Sequence, residues 1–288
     1  DLRWILTLYR FTPLVVPGFA LAVVYLALAV GLLGFVLARL RRRCGEVRWA
    51  LAAAAGFALL EFLRSLGPLG ISFSSLYLSL HRVPSFVQLA AFLGPYAITA
   101  AIVGTNAFLY AALRKRDARF VLGALASAAL LVVPAFVPIP PDSGPRERVA
   151  VISSLVEQEA KLDTRNLSAL LARYGALADR AVAADPDLVV FPESFLPAYI
   201  LRNPPVLARL AAVARDSGAR VLFGTGDVRE DDVYNCVVLL DRTGDVAAFY
   251  DMVRPVPFGE YIPGRRAWEV LGMGPLMDSF LPSDLRAG

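Results

Sequence analysis

The chain has 288 residues, 57% of them hydrophobic and only 19% charged, with a net charge of +4 and a mean hydropathy of +0.57. Soluble domains run about 45–50% apolar and about 25% charged. The balance therefore excludes a disordered chain, a nucleic-acid-binding tail and an ordinary cytosolic enzyme, and it points to a protein that lies at least partly in a membrane. Four apolar stretches come first in chain order. Residues 14–38, 86–113 and 120–139 carry no charge, and residues 49–66 carry only Glu61 and Arg64. Each is apolar all round rather than along one stripe, which is the pattern of a membrane-spanning helix and not of a core helix. The expectation is four transmembrane spans within residues 1–140.

The connecting loops set an orientation. Arg39, Arg41, Arg42, Arg43 and Arg48, against Glu46, lie between the first two stretches; Arg114, Lys115, Arg116 and Arg119, against Asp117, lie between the last two. Clusters of arginine and lysine beside spans mark the cytoplasmic side. The segment 65–85 and everything after Pro140 are then expected on the other side. Glu61 and Arg64, one helical turn apart, can pair or anchor the second span at the interface. Phe73, Tyr77 and Tyr96 can line a lipid entrance or belong to an aromatic belt.

After Pro138-Ile139-Pro140-Pro141 the composition becomes that of a soluble domain, residues 141–288. Val149–Ile152 reads as a buried strand, Asn166–Ala184 as a helix, Leu188–Phe191 as a second strand, Pro204–Ser217 as a helix ending at Gly218, and Arg220–Gly224 as a third strand. Tyr234–Asp241 and Val246–Tyr250, joined by a Thr243-Gly244 turn, read as a hairpin. Strands alternating with helices predict an α/β layered domain. Two cysteines, Cys44 and Cys236, with one histidine, are too few for a disulfide framework or a structural zinc site.

The chemistry sits at strand ends, where ligands gather in open α/β sheets. Glu193 follows the second strand in Phe191-Pro192-Glu193-Ser194, and Glu260 lies in the Pro- and Gly-rich loop Val256-Pro257-Phe258-Gly259-Glu260-Tyr261-Ile262-Pro263. These segments, with Val149-Ala150-Val151, Val221–Gly226, Tyr234-Asn235 and Tyr250-Asp251, occur in the order of the nitrilase (carbon-nitrogen hydrolase) superfamily. Joined to N-terminal spans, they resemble the bacterial apolipoprotein N-acyltransferases. Leu60-Glu61-Phe62-Leu63-Arg64 and Gly70-Ile71-Ser72-Phe73 resemble that family's tryptophan-containing segments, with phenylalanine at residues 62 and 73. The resemblance covers essentially the whole chain, and the start at Asp1 reads as a piece lacking both ends of a longer protein.

The resemblance implies a multi-pass helical membrane domain followed by a nitrilase-like α-β-β-α sandwich on the periplasmic side of a bacterial inner membrane. It implies transfer of an acyl chain from a phospholipid, through a cysteine thioester, to the N-terminal amine of a diacylglyceryl-cysteine lipoprotein, with no metal, nucleotide or other cofactor and no nucleic-acid partner. Glu193 matches the family's catalytic base and Glu260 its supporting glutamate, while Tyr234, Asn235 and Phe73 are candidates for contacting substrate. Two positions depart from the pattern. Met252 stands where the family has its lysine, and Arg254, two residues on, is the candidate replacement cation. The nucleophilic cysteine is expected beyond Gly288; Cys236 reads as a buried structural thiol. A relative that binds lipid or lipoprotein without turnover, motivated by Met252, and a membrane-anchored nitrilase-type amidase stay open as alternatives.

Overall fold

The computed structural model describes residues 3–10, 15–67, 70, 72, 74–138, 143–153, 155–157, 160–161 and 163–288. It divides into two compact units, Asp1–Pro141 and Asp142–Gly288. Phe73, one of the substrate candidates, and the outer limits of the first and fourth predicted spans lie outside the described residues.

The first unit is helical. A short 3-10 segment, Arg3–Arg10, precedes α1 (Val15–Arg41), α2 (Glu46–Arg64), α3 (Pro84–Val87), α4 (Leu89–Leu93), α5 (Pro95–Lys115) and α6 (Ala118–Val132). Among the described residues, three helical segments are long and apolar enough to cross a membrane: Val15–Arg41, Pro95–Lys115 and Ala118–Phe136. α2 has 19 residues and carries Glu46, Arg48, Glu61 and Arg64, so its apolar run is bounded by charge at both ends.

The third predicted span, 86–113, differs from what forms. Helix is interrupted at Gly94, whose φ of 77° is left-handed, and α5 starts at Pro95. Proline lacks the N–H that would continue the α4 ladder and clashes with the preceding turn. Glycine takes the positive φ without Cβ strain, and its N–H closes onto Ala90 O at 2.9 Å. The apolar composition is continuous through residues 86–113, but the backbone is not.

Small residues let α2, α5 and α6 approach. Ala50, Ala53, Ala107, Ala111 and Ala124 pack with Phe108 and Phe120, as expected where packing rather than the hydrophobic effect holds helices in lipid. Gly123 sits directly under the Phe108 ring, where a Cβ would come within 2.7 Å of it. Near the other end of α2, buried Glu61 accepts from Leu76 N at 2.5 Å and from Thr99 Oγ1 at 2.5 Å, while Arg64 donates to Ser75 Oγ at 3.4 Å.

The second unit is an α/β domain. Its elements are β1 (Val149–Val151), α7 (Leu167–Val182), β2 (Leu188–Val190), α8 (Pro204–Ser217), β3 (Arg220–Arg229), β4 (Asp232–Leu240), β5 (Val246–Asp251), α9 (Arg265–Val270), α10 (Gly274–Phe280) and β6 (Leu285–Arg286). The sheet order is β1-β2-β3-β4-β5, with β6 also paired to β4. β1, β2 and β3 are parallel, and β3, β4 and β5 antiparallel. Helical crossovers permit the first pattern and tight turns the second. The core lies between the sheet and α7 and α8: Val189, Val221, Phe223 and Val238 from strands meet Leu170, Tyr174, Leu210 and Ala214 from helices. α8 starts at Pro204 after Asn203, whose side chain accepts from Val206 N, and stops at left-handed Gly218.

Candidate functional site

Glu193 is placed by its neighbours. Phe191 continues the β2–β3 pairing by donating its N–H to Leu222 O at 2.8 Å. Phe191, Phe195 and Leu196 are all buried, and the Phe191 and Phe195 rings lie 4.9 Å apart. Apolar anchors on both sides of Pro192-Glu193-Ser194 thus hold the turn down and leave Glu193 at the surface of the strand end. A Cβ at Gly224 on β3 would fall 2.7 Å from Glu193 Cα, so the close approach of the turn to β3 requires glycine. Ser194, with φ 42°, takes up the left-handed step that follows.

Asn235 on β4 joins the two glutamates. Its Nδ2 donates to Glu193 Oε1 at 2.6 Å and lies 3.4 Å from Glu260 Oε1. Glu260 is oriented from its other oxygen, which accepts from Val256 N at 2.6 Å. The loop carrying it is cross-tied: Glu260 N donates to Val256 O, Phe258 N to Tyr261 O, and Leu285 N on β6 to Glu260 O. Phe258, with φ 60°, makes the tight bend. Two carboxylates in reach of one amide are acceptor-only groups sharing a donor, a place suited to receiving a proton from a third group.

Met252 belongs to the same centre. Its N–H donates to Asn235 O at 2.8 Å. Glu193, Asn235, Met252 and Arg254 line a cleft of about 720 Å³ with Val190, Leu222 and other apolar residues. Arg254 is the one cation among the described residues lining it. The structure therefore brings Glu193, Asn235, Met252 and Arg254 together and reaches Glu260 through Asn235.

Tyr234 is placed elsewhere. Adjacent residues on a strand face opposite sides, and the Tyr234 ring lies 4.3 Å beneath the Arg229 guanidinium, outside the cleft lining. Arg229 there pairs with Asp227 at 2.8 Å and with both oxygens of Asp251 at 2.5 and 2.8 Å. These hydrogen bonds hold the Asp251 carboxyl below the usual carboxylate range and fix the end of β5 one residue before Met252. This cluster was not foreseen from the sequence: Asp227 and Arg229 share a face of β3 by their two-residue spacing, but only strand pairing through β4 brings Asp251 to them.

Cys236 is 2% exposed, and its Sγ donates to Thr225 O at 3.3 Å. Burial, with Asp227 and Asp251 nearby, pushes the thiol up to about 11. It is a structural thiol, because the reactive species is the thiolate.

Residues 1–108 match the family model for the apolipoprotein N-acyltransferase N-terminal domain, and residues 149–287 that for the carbon-nitrogen hydrolase domain. An apolipoprotein N-acyltransferase of Sinorhizobium medicae is 32% identical over 269 residues, covering 87% of this chain and 49% of that protein. One of Geobacter metallireducens is 30% identical over 285 residues, covering 91% of this chain and 54% of that protein. The chain thus spans about half the length of the curated relatives it matches. Among solved structures, an amidase from Nesterenkonia sp. aligns at 21% identity over 41% of this chain and 44% of that chain, with a TM-score of 0.30.

Proposed function

Because the chain belongs to the apolipoprotein N-acyltransferase family, joining that family's N-terminal domain to a carbon-nitrogen hydrolase domain, we propose that it serves lipoprotein N-acylation. An acyl chain passes from a phospholipid to a cysteine thiolate and then to the N-terminal amine of a diacylglyceryl-cysteine lipoprotein. The observation that carries this reading is Asn235 bridging Glu193 and Glu260 at the rim of an apolar cleft. Glu193, the better exposed of the two, is the base: it takes the thiol proton, the thiolate adds to the ester carbonyl, and the lysophospholipid leaves with that proton. The amine then adds to the thioester, gives a proton to Glu193 and expels the thiolate. Glu260 and Asn235 hold Glu193 in position.

The protein is a membrane protein, and we place its first unit in a bacterial cell membrane with the basic loops cytoplasmic and residues 141–288 outside. Arg114 and Lys115 at the end of α5 approach Glu46 at the start of α2 at 3.7 and 3.9 Å, which supports a shared side for the two loops that adjoin them. A second reading, a relative that binds lipid or lipoprotein without turnover, rests on Met252, since a thioether offers the oxyanion no donor.

The test is single-turnover thioester formation by the full-length gene product with a phospholipid donor. Glu193→Gln keeps the Asn235 contact but cannot accept the proton, and should lower the rate by about a hundredfold or more. An unchanged rate removes Glu193 as the base. A native protein that binds phospholipid yet forms no thioester favours the second reading.

A further inference from the structure

We propose that the ends of α1, α2 and α5 form a site for the phosphodiester headgroup of an anionic phospholipid, gripped by Arg114 and Lys115. The site is built around Glu46. Arg41 is sandwiched between the Trp49 and Tyr110 rings, 4.6 and 4.8 Å from their centroids. It donates to Glu46 at 3.0 and 3.2 Å and to Tyr110 OH at 3.2 Å. Trp49 is itself fixed by donating to Leu37 O at 3.1 Å. Glu46, 13% exposed, is therefore already committed to Arg41.

Arg114 and Lys115 approach the same carboxylate only to 3.7 and 3.9 Å and stay half exposed, at 53% and 50%. One carboxylate shared by three cations leaves positive charge uncompensated at this point. Exposed Arg42 and Arg43 in the α1–α2 turn add to the field, whereas Arg119 is compensated by Asp117 at 2.6 Å.

The occupant is a lipid rather than a free anion because of what adjoins the charge. Leu113, the residue before Arg114, is 81% exposed, and Leu109 and Tyr110 one turn below it are exposed as well. Both α1 and α5 are long and apolar enough to span a bilayer. Trp49 and Tyr110 are amphipathic rings of the kind that settle at headgroup depth. A phosphate held by Arg114 and Lys115 would thus lay its acyl chains along an apolar face of α5. Each cation near an anionic surface is worth about fivefold in affinity.

The test uses the full-length gene product with Trp4→Phe and Trp268→Phe, so that Trp49 is its tryptophan reporter within residues 1–288, reconstituted in vesicles. Brominated phosphatidylglycerol should quench Trp49 at a mole fraction at least about fivefold lower than brominated phosphatidylcholine. Arg114→Gln with Lys115→Gln should abolish that preference while leaving quenching by phosphatidylcholine intact, which shows that the helices are still in the bilayer. Arg209→Gln with Arg215→Gln, the same loss of two charges but on α8, should retain the preference. Equal quenching by the two lipids, a preference that survives the double substitution, or a preference erased by inorganic phosphate would each overturn the lipid site. No quenching by either lipid would overturn it together with the membrane placement of α1 and α5.

Discussion

At the residue scale the decisive position is Met252. Its backbone is tied to Asn235 and it lines the cleft beside Glu193, but its side chain is neutral. One missing oxyanion donor costs roughly a hundred- to a thousandfold in rate. Met252→Lys in the full-length gene product is therefore expected to raise the rate of thioester formation by at least about tenfold. Arg254→Ala should slow the native protein strongly and the lysine variant little, if Arg254 supplies the charge now. An unchanged rate in Met252→Lys would show that this side chain does not face the oxyanion. One residue earlier, Asp251 titrates below its usual range because Arg229 hydrogen-bonds it. A depressed folded value means that its contribution to stability is complete above the unfolded value of about 3.9 and is lost as pH falls through the folded one. The urea midpoint of Asp251→Asn, followed by Trp268 fluorescence, should therefore lie below that of the native protein at pH 6, with the gap narrowing as pH falls below about 3.9. A constant gap would mean that the ion pair is not what the substitution removes.

At the scale of elements, Glu61 makes two polar contacts that tie parts of the first unit together. It holds the Leu76 amide, in the segment after α2, and the Thr99 hydroxyl on α5, with Glu61, Ser75 and Thr99 all buried. Leaving a buried donor unpaired costs about 1–3 kcal/mol, which corresponds to about 5- to 150-fold in local opening. Glu61→Leu should speed hydrogen exchange of the Leu76 amide by about that factor, and Glu61→Gln, which keeps an acceptor, by less. Equal exchange in native protein and Glu61→Leu would show that the segment is held by something else. The sequence offered Arg64 as Glu61's partner by helical spacing. Two contacts that this spacing does not reveal, from the Leu76 amide and from Thr99 on α5, reach the carboxylate from across the bundle.

At the scale of the whole molecule, the proposed orientation puts the basic loops and the second unit on opposite sides of one membrane. Cysteines introduced at Lys115 and at Ser143 should react with an impermeant reagent from opposite sides in intact cells, Ser143 from outside. Reaction of both from the same side would refute the orientation. Much of this level is written locally. Charge-free runs of bilayer length, arginines at their ends, and apolar runs punctuated by Asp185-Pro186 and Gly218 each act through neighbours in sequence, so the helical unit and the order of the α/β elements could be read directly. Glu193 and Glu260 stood out for the same reason: Glu193 follows Pro192 directly at a strand end, and Glu260 lies in a Pro- and Gly-rich loop.

What the sequence could not determine was which groups those turns would face. Asn235 bridges both glutamates because β4 is antiparallel to β3 in a register that sets Asn235 opposite Gly226. A shift of one residue would have presented Tyr234 instead. The β4–β5 register, with Cys236 opposite Asp251, then puts Asp251 beside Arg229 and carries Met252 to the cleft. By itself the sequence determined the two kinds of unit, the apolar helices and the residues able to do acid–base chemistry, since composition and short-range sterics suffice for these. The tertiary structure alone decided that a single amide unites the carboxylates, that Tyr234 stacks under Arg229, and that Glu61 is satisfied across the bundle. The first and the last join residues far apart in the chain and the second crosses the β3–β4 turn; strand pairing or helix packing fixes each of them.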